Sequence, residues 1–281
     1  MEDVAEKQQG DNAPAVALTI AGSDSCGGAG IQADLKTFAA LGVFGASAVT
    51  AVTAQNTGKV GGVSVMDAGF VAGQIAACFE DLPIGAIKTG MLANAEITRA
   101  VVAALRRPRI APEPRLPLIV DPVMIATSGA SLLNDRAVAT LWDELLPLAA
   151  LVTPNLPEAA ALTGRPQDAD PETLAALLLE SGVGAVLIKG GHSKEETCRD
   201  LLATPDVVHA FDWPRASGDY HGTGCAYSAA IAAFCARGLS LDTAVSKAGV
   251  WLQHQIRNAF RPLHGSLGIL PFTPENCRPP Y

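Results

Sequence analysis

Residues 16–41 read "VALTIAGSDSCGGAGIQADLKTFAAL". The stretch has three parts, and their order decides the fold class. An apolar run rich in β-branched residues, "VALTIAG" (16–22), gives way to a serine, aspartate and glycine cluster, and a segment of helical period follows at once. The first run is continuously apolar, the pattern of a strand covered on both faces. The same unit recurs outward along the chain. "ASAVTAV" (46–52), "IGAIK" (84–88), "PLIVD" (117–121), "ALVTP" (150–154) and "GAVLIKG" (184–190) read as further strands. Between them "AGFVAGQIAACFEDL", "NAEITRAVVAALRR", "AVATLWDELLPLA" and "PETLAALLLESG" read as helices. This alternation predicts an α/β domain with a mostly parallel sheet and helices on both faces. Two long helices, "GTGCAYSAAIAAFCARG" (222–238) and "SLDTAVSKAGVWLQHQIRN" (240–258), close it. The proline-rich "RRPRIAPEPRLP" (106–117) is too short to separate domains, so residues 15–281 read as one domain and the polar residues 1–14 as a disordered tail.

Composition narrows the function. Hydrophobic residues make up 49% of the 281 and charged residues 17%, enough for a large core. The net charge of −8 excludes the basic footprint of non-specific nucleic-acid binding. It leaves phosphorylated small molecules open, because backbone amides and one or two lysines neutralise phosphate locally. Six cysteines fall without a C-x-x-C pair or zinc-ligand spacing, and no apolar run is long enough to cross a bilayer. With no secretory leader in view, the expectation is a cytoplasmic protein with reduced thiols.

Nearly every strand runs into a polar or glycine-rich cluster: "SDSCGGAG", "TAQNTG", "TGML", "PVMIATSG", "NLPE" and "GHS". In an open parallel sheet the carboxyl ends of the strands share one edge, where ligands bind. Each cluster alone is an ordinary loop composition; six together point to one crevice. No G-x-x-x-x-G-K-[ST] occurs, which removes a P-loop. "GAGIQA" (28–33) has the outline of a dinucleotide fingerprint, yet no Asp or Glu lies between Leu35 and Met66 to hold a ribose hydroxyl.

"YHGTGC" (220–225) offers a different anion site. Gly222 and Gly224, with Thr223 between them, permit a tight turn whose amides face inward, and the following helix adds its positive end. Cys225 falls in the first helical turn, where that field lowers a thiol's pKa; it serves either as a proton acceptor or as a small packing residue. Lys189 can neutralise a polyphosphate. Asn155 and Glu158, with Asp121, have the oxygen donors for a hydrated Mg²⁺. Asp34 and Gln55 follow the first two strands, and an amide such as Gln55 suits the edge of a neutral heterocycle. His192 and His221 read as packing or capping residues.

In order, "ALTIAGSDSCGGAGIQADLKTF", "TAVTAQNTG", "KTGML", "DPVM-x-x-x-SG", "TPNLPEAAALTG", "LIKGGH" and "HGTGC" resemble the hydroxymethylpyrimidine kinase / phosphomethylpyrimidine kinase family of thiamine biosynthesis, over about residues 15–260. The resemblance implies a three-layer α/β/α ribokinase-like fold with a mostly parallel central sheet, a homodimer, and ATP and Mg²⁺ as cofactors. It implies two phosphorylations: 4-amino-5-hydroxymethyl-2-methylpyrimidine to its monophosphate, then to its pyrophosphate. Gly22, Ala29, Asp34, Gln55, Met91 and Val123 match the family's pyrimidine pocket. Asp121, Asn155, Glu158 and Lys189 match its Mg²⁺ and nucleotide region. Gly222, Thr223 and Gly224 match its anion hole and Cys225 its proposed base. The C-terminal "RPLHGSLGILPFTPENCRPPY" departs from the family's usual ending. The alternative on this scaffold is a pyridoxal kinase; a binding protein without activity should show damage at Cys225, Lys189 or the glycine turn, and none is present. A lid is expected in "MIATSGASLLND" (124–135) or "VSVMDAG" (63–69).

Overall fold

The structure, a computed structural model, describes residues 13–107, 116–124, 135–192 and 197–274. The first helical candidates and strands appear in the expected alternation: β1 (Val16–Ser23), α1 (Gly30–Ala40), β2 (Phe44–Gln55), β3 (Val60–Val65), α2 (Ala68–Asp81), β4 (Ile84–Thr89), α3 (Ala95–Leu105) and β5 (Leu118–Val120). Then come α4 (Asp135–Thr140), β6 (Leu151–Val152), α5 (Leu156–Thr163), α6 (Pro171–Leu179), β7 (Val186–Ile188), β8 (Thr197–Ala203) and β9 (Val208–Pro214). The chain ends with β10 (Tyr220–His221), α7 (Thr223–Ala236), α8 (Leu241–Arg257) and β11 (Gly268–Ile269). Most of the lid candidate at 124–135 and of the tail at 1–14 lies outside the described residues.

Among the described residues nine strands form one sheet in the order β3-β2-β1-β4-β5-β6-β7-β8-β9. The pairs from β2 through β7 are parallel, as their apolar runs predict. The outer pairs β2–β3, β7–β8 and β8–β9 are antiparallel. The sequence reading did not predict β3, β8 or β9. These flanking strands face solvent on at least one side, so they lack the continuous apolarity that marks the others. The "VSVMDAG" lid candidate begins inside β3, paired with β2 through Val63 and Val65.

Side chains of the parallel strands alternate between two cores. Leu18, Ile20, Ile87, Val120, Val152 and Val186 pack with α2, α3, α5 and α6 on one face. Ala17, Ala86, Ile119, Leu151 and Leu187 pack with α1, α7 and α8 on the other. This is the three-layer α/β/α ribokinase-like architecture. α7 is buried from Ala226 to Cys235, and its alanines let it lie close beneath the sheet, meeting Ala17 and Ala86. A helix apolar all round belongs in a core; here it carries its N-terminus under the carboxyl ends of the strands. The single helix expected over 137–149 is instead α4 continued by a wider turn at Leu141–Leu145 and a tight one at Leu146–Leu148, where Pro147 supplies no N–H. No helix among the described residues is long and apolar enough to cross a membrane.

Candidate active site

The carboxyl ends of the parallel strands and the N-terminus of α7 enclose a cavity of about 720 Å³. Gly22 lies at the end of β1 and Ala29 follows it, Gln55 ends β2, and Met91 follows β4. Asp121 and Val123 follow β5, Asn155 and Glu158 follow β6, and Lys189 follows β7. Gly222, Thr223, Gly224 and Cys225 enter from α7, and every one of these residues lines the cavity.

Asp34 does not. It projects beneath the cavity, fully buried, and its carboxylate is taken by Lys88 Nζ at 2.9 Å from both oxygens and by the Thr19 hydroxyl at 2.6 Å. Expected at the pyrimidine pocket, it faces the sheet from α1, where donors already occupy its carboxylate. Lys88, which the sequence reading passed over, lines the cavity in its place. Burial alone would push the Lys88 ammonium down, and the Asp34 carboxylate more than reverses that, holding it charged.

At the β1–β2 end, Met91 lies across Gly22, where any Cβ would collide with its methyl group. Thr50 donates 2.6 Å to the Met91 carbonyl and fixes that segment. Ser25 and the Gln55 backbone exchange bonds of 2.7 and 2.8 Å, which pins the Gln55 residue at the rim. At the centre, Lys189 Nζ is 2.9 Å from Asp121 Oδ1, and Ser228 Oγ donates 3.3 Å to Asp121 Oδ2. A Cβ at Gly224 would lie 3.2 Å from Lys189 Nζ, so the glycine turn abuts this ion pair.

Gly222 adopts the left-handed region (φ 76°), and α7 has no side-chain cap at its N-terminus. Its first amides are therefore left to whatever anion occupies the cavity. Cys225 Sγ is approached by the Gly30 backbone N–H, so it faces the starts of two helices. The expected lowering of its pKa does not result. Although part of the residue opens on the cavity, burial pushes the thiol up to about 11; Lys88 opposes this, while Asp121 and Asp34 reinforce it. A thiol held that high is mostly protonated near neutral pH.

Asn155 and Glu158 form a reciprocal capping box on α5, with bonds of 2.8 and 2.9 Å. The Asn155 side-chain oxygen is thus used on the helix, and of the three residues expected to hold Mg²⁺ Asp121 and Glu158 bring carboxylates to the cavity. Burial, with Asp121 nearby, raises Glu158 to about 7 against the pull of Lys189.

Two further groups were missed because their partners are distant in sequence. Asp24 accepts from the backbone of Cys26, Gly28 and Ala29 and from His221 Nε2 at 2.8 Å. Burial would raise its pKa, but the His221 and Cys26 bonds win and hold it near about 2. At the far end Asp200 accepts from the Gly190 N–H and the Trp213 indole, both at 2.8 Å, and Trp213 lies against α8 at Gly249. Gly249, Leu252, Gln253 and Ile256 present one face of α8 to this end of the cavity. The divergent C-terminal segment pairs β11 with β10 and brings Leu267 to the rim.

A family model described as "Phosphomethylpyrimidine kinase" matches residues 24–269. The chain belongs to the phosphomethylpyrimidine kinase family. It is accordingly a phosphotransferase. It is 49% identical over 253 residues to the hydroxymethylpyrimidine/phosphomethylpyrimidine kinase of Rhizobium meliloti (strain 1021), covering 88% of this chain and 92% of that protein. Of solved structures, the family's phosphomethylpyrimidine kinase from Clostridium difficile 630 is 39% identical with a TM-score of 0.74, over 86% of this chain and 99% of that one. The Bacillus subtilis pyridoxal kinase, solved as an ADP complex, is 30% identical with a TM-score of 0.82, over 92% and 97% of the two chains.

Proposed function

We propose that this enzyme uses ATP to phosphorylate 4-amino-5-hydroxymethyl-2-methylpyrimidine to its monophosphate and then to its pyrophosphate, in thiamine biosynthesis. The observation that carries this reading is the placing of an uncapped helix N-terminus against the Lys189–Asp121 pair, midway along a cavity with two differently built ends. The end with Gly22, Ala29, Gln55, Met91 and Val123 suits a small heterocycle: apolar walls and an amide at the edge. The other end, between Trp213 and the α8 face, suits the planar base of a nucleotide.

In this reading the amides of residues 222–225 and the Lys189 ammonium hold the transferring phosphoryl group, which is where most of the catalysis of phosphoryl transfer lies. Cys225 receives the proton of the hydroxymethyl group in its thiolate form. That form is scarce while the thiol sits near about 11, but a base of high pKa is a strong one, and a loose transition state needs little deprotonation of the nucleophile. Asp121 and Glu158 fit a Mg²⁺ ion by the chemistry of their hard oxygens and by the repulsion that the buried Asp121 carboxylate exerts on Glu158. Bound there, the ion would neutralise phosphate charge.

The same scaffold would serve a pyridoxal kinase, and the higher TM-score to the Bacillus subtilis enzyme favours that as the second reading. A homodimer is supported by β3, an edge strand that leaves Val63 and Val65 45% exposed; light scattering tests it.

The test of substrate is ADP release from Mg-ATP with hydroxymethylpyrimidine, its monophosphate, pyridoxal or no acceptor. Turnover of the first two, with pyridoxal far lower in kcat/KM, is the expected result. Turnover of pyridoxal alone overturns the substrate and keeps the phosphoryl chemistry. No second step with the monophosphate overturns the bifunctional reading.

A further inference from the structure

Two loops of the cavity touch backbone to backbone, and the bond that ties them is made by residues outside the chemistry above. One loop follows β1 and carries Ala29; the other is the glycine turn before α7. A Cβ at Gly222 would run into the Gly28 carbonyl, and a Cβ at Gly28 would run into the His221 ring. His221 is 2% exposed, and its Nε2 meets Asp24 Oδ2 at 2.8 Å. That oxygen also takes the Gly28 and Ala29 amides at 3.2 and 2.8 Å and the Cys26 thiol at 3.3 Å.

We propose that His221 is a positioning residue for phosphoryl transfer: through Asp24 it locks the loop that seats the acceptor onto the turn that holds the phosphoryl group. The inference rests on the cavity reading above. Asp24, Cys26 and His221 also have the makings of a metal site, their ligand atoms lying within 4.8 Å of one another. The bonding argues otherwise: imidazole and thiol both spend themselves on the same carboxylate oxygen, which two amides share. Stability alone is a poor reason for such a cluster, because burying polar groups costs desolvation that apolar packing avoids. What the cluster adds is a fixed spacing between two loops whose backbones meet at Gly28 and Gly222. In-line transfer depends on that spacing, and a misplacement of about 1 Å costs on the order of 10²-fold in rate. A loosened pair of loops also admits water as a competing acceptor.

The experiment compares His221→Ala and His221→Gln with the wild-type enzyme. The acceptor is whichever of hydroxymethylpyrimidine and pyridoxal the wild type phosphorylates, so a wrong substrate assignment does not count against the proposal. The readouts are kcat, the KM of each substrate, and ADP released per acceptor phosphorylated. The Ala variant is expected to lose up to about 10² in kcat and to release excess ADP. The Gln variant, whose amide can still donate to Asp24, is expected to recover most of both. Wild-type kcat with a single ADP per product in His221→Ala, measured below its Tm, overturns the proposal, as does a Gln variant no better than Ala. Should His221→Ala fail to fold, Gly28→Ala displaces the ring while keeping both partners; unchanged coupling there overturns the proposal equally.

Discussion

Lys88 Nζ lies 2.9 Å from both carboxylate oxygens of Asp34, and neither side chain keeps any exposure to solvent. Removing one member leaves the other as an uncompensated buried charge, which costs about 3–5 kcal/mol. Lys88→Met is therefore expected to lose that much stability in urea unfolding. Lys88→Met combined with Asp34→Leu should recover part of it. A single variant as stable as wild type would show that water or another cation reaches Asp34.

Cys225→Ala should lower kcat by about 10²–10⁴ while leaving thermal unfolding unchanged. In the wild-type protein, alkylation of this thiol should accelerate with pH until near about 11, because burial holds the thiol form above the ordinary range. A midpoint near neutrality would restore the helix-field argument. Near wild-type kcat in the Ala variant would reduce Cys225 to packing.

The turn glycines should separate into two kinds. Gly222→Ala combines a left-handed backbone with a collision at Gly28, so it is expected to fold poorly. At Gly224 an added methyl meets the flexible end of Lys189 at 3.2 Å and lies 4.0 Å from Asp121 Oδ2. Gly224→Ala should fold normally and raise the KM for ATP. Equal behaviour of the two, in circular dichroism and kinetics, would remove the distinction.

Asp24 gives a pH signature. Its folded pKa is depressed to about 2 from an ordinary 3.8. Its contribution is therefore complete above the ordinary value and is lost as pH falls through the folded one. Acid unfolding of Asp24→Asn should be shallower over that window than the wild type's, and the variant less stable at neutral pH. Identical slopes would mean that the carboxylate is not held by His221 and the loop amides.

Gly249→Ala should dislodge Trp213, whose ring occupies the space a Cβ would need, and so break its bond to Asp200. A changed tryptophan emission and a raised KM for ATP are expected, with the acceptor KM constant. Unaltered emission would show that the indole does not rest on α8.

The parallel core and most of the cavity were legible because both are written locally. Continuous apolarity marks a doubly covered strand, and the polar residue after it falls at the ligand edge by topology alone. The burial of Asp34 against Lys88 was not legible because its position in α1 says nothing of a lysine 54 residues on. Asp24 and His221 were missed as a pair for the same reason, at a separation of 197. The thiol of Cys225 was misjudged because a helix field is readable from sequence position, whereas burial and the opposing charges of Asp121 and Asp34 exist only after folding. The antiparallel flanks escaped because half-exposed strands carry a weaker pattern.

The alanines of α7 have a consequence for how this enzyme can vary. The helix meets Ala17 and Ala86 of the sheet with little more than methyl groups between them, so the depth at which Cys225 sits is set by the thinness of that seam. Larger side chains at Ala230 or Ala233 would act as shims, tilting the whole helix and displacing the thiol from Lys189 and Asp121 without touching either. Activity should therefore be lost through substitutions well removed from any ligand, graded by volume and indifferent to polarity at the cavity.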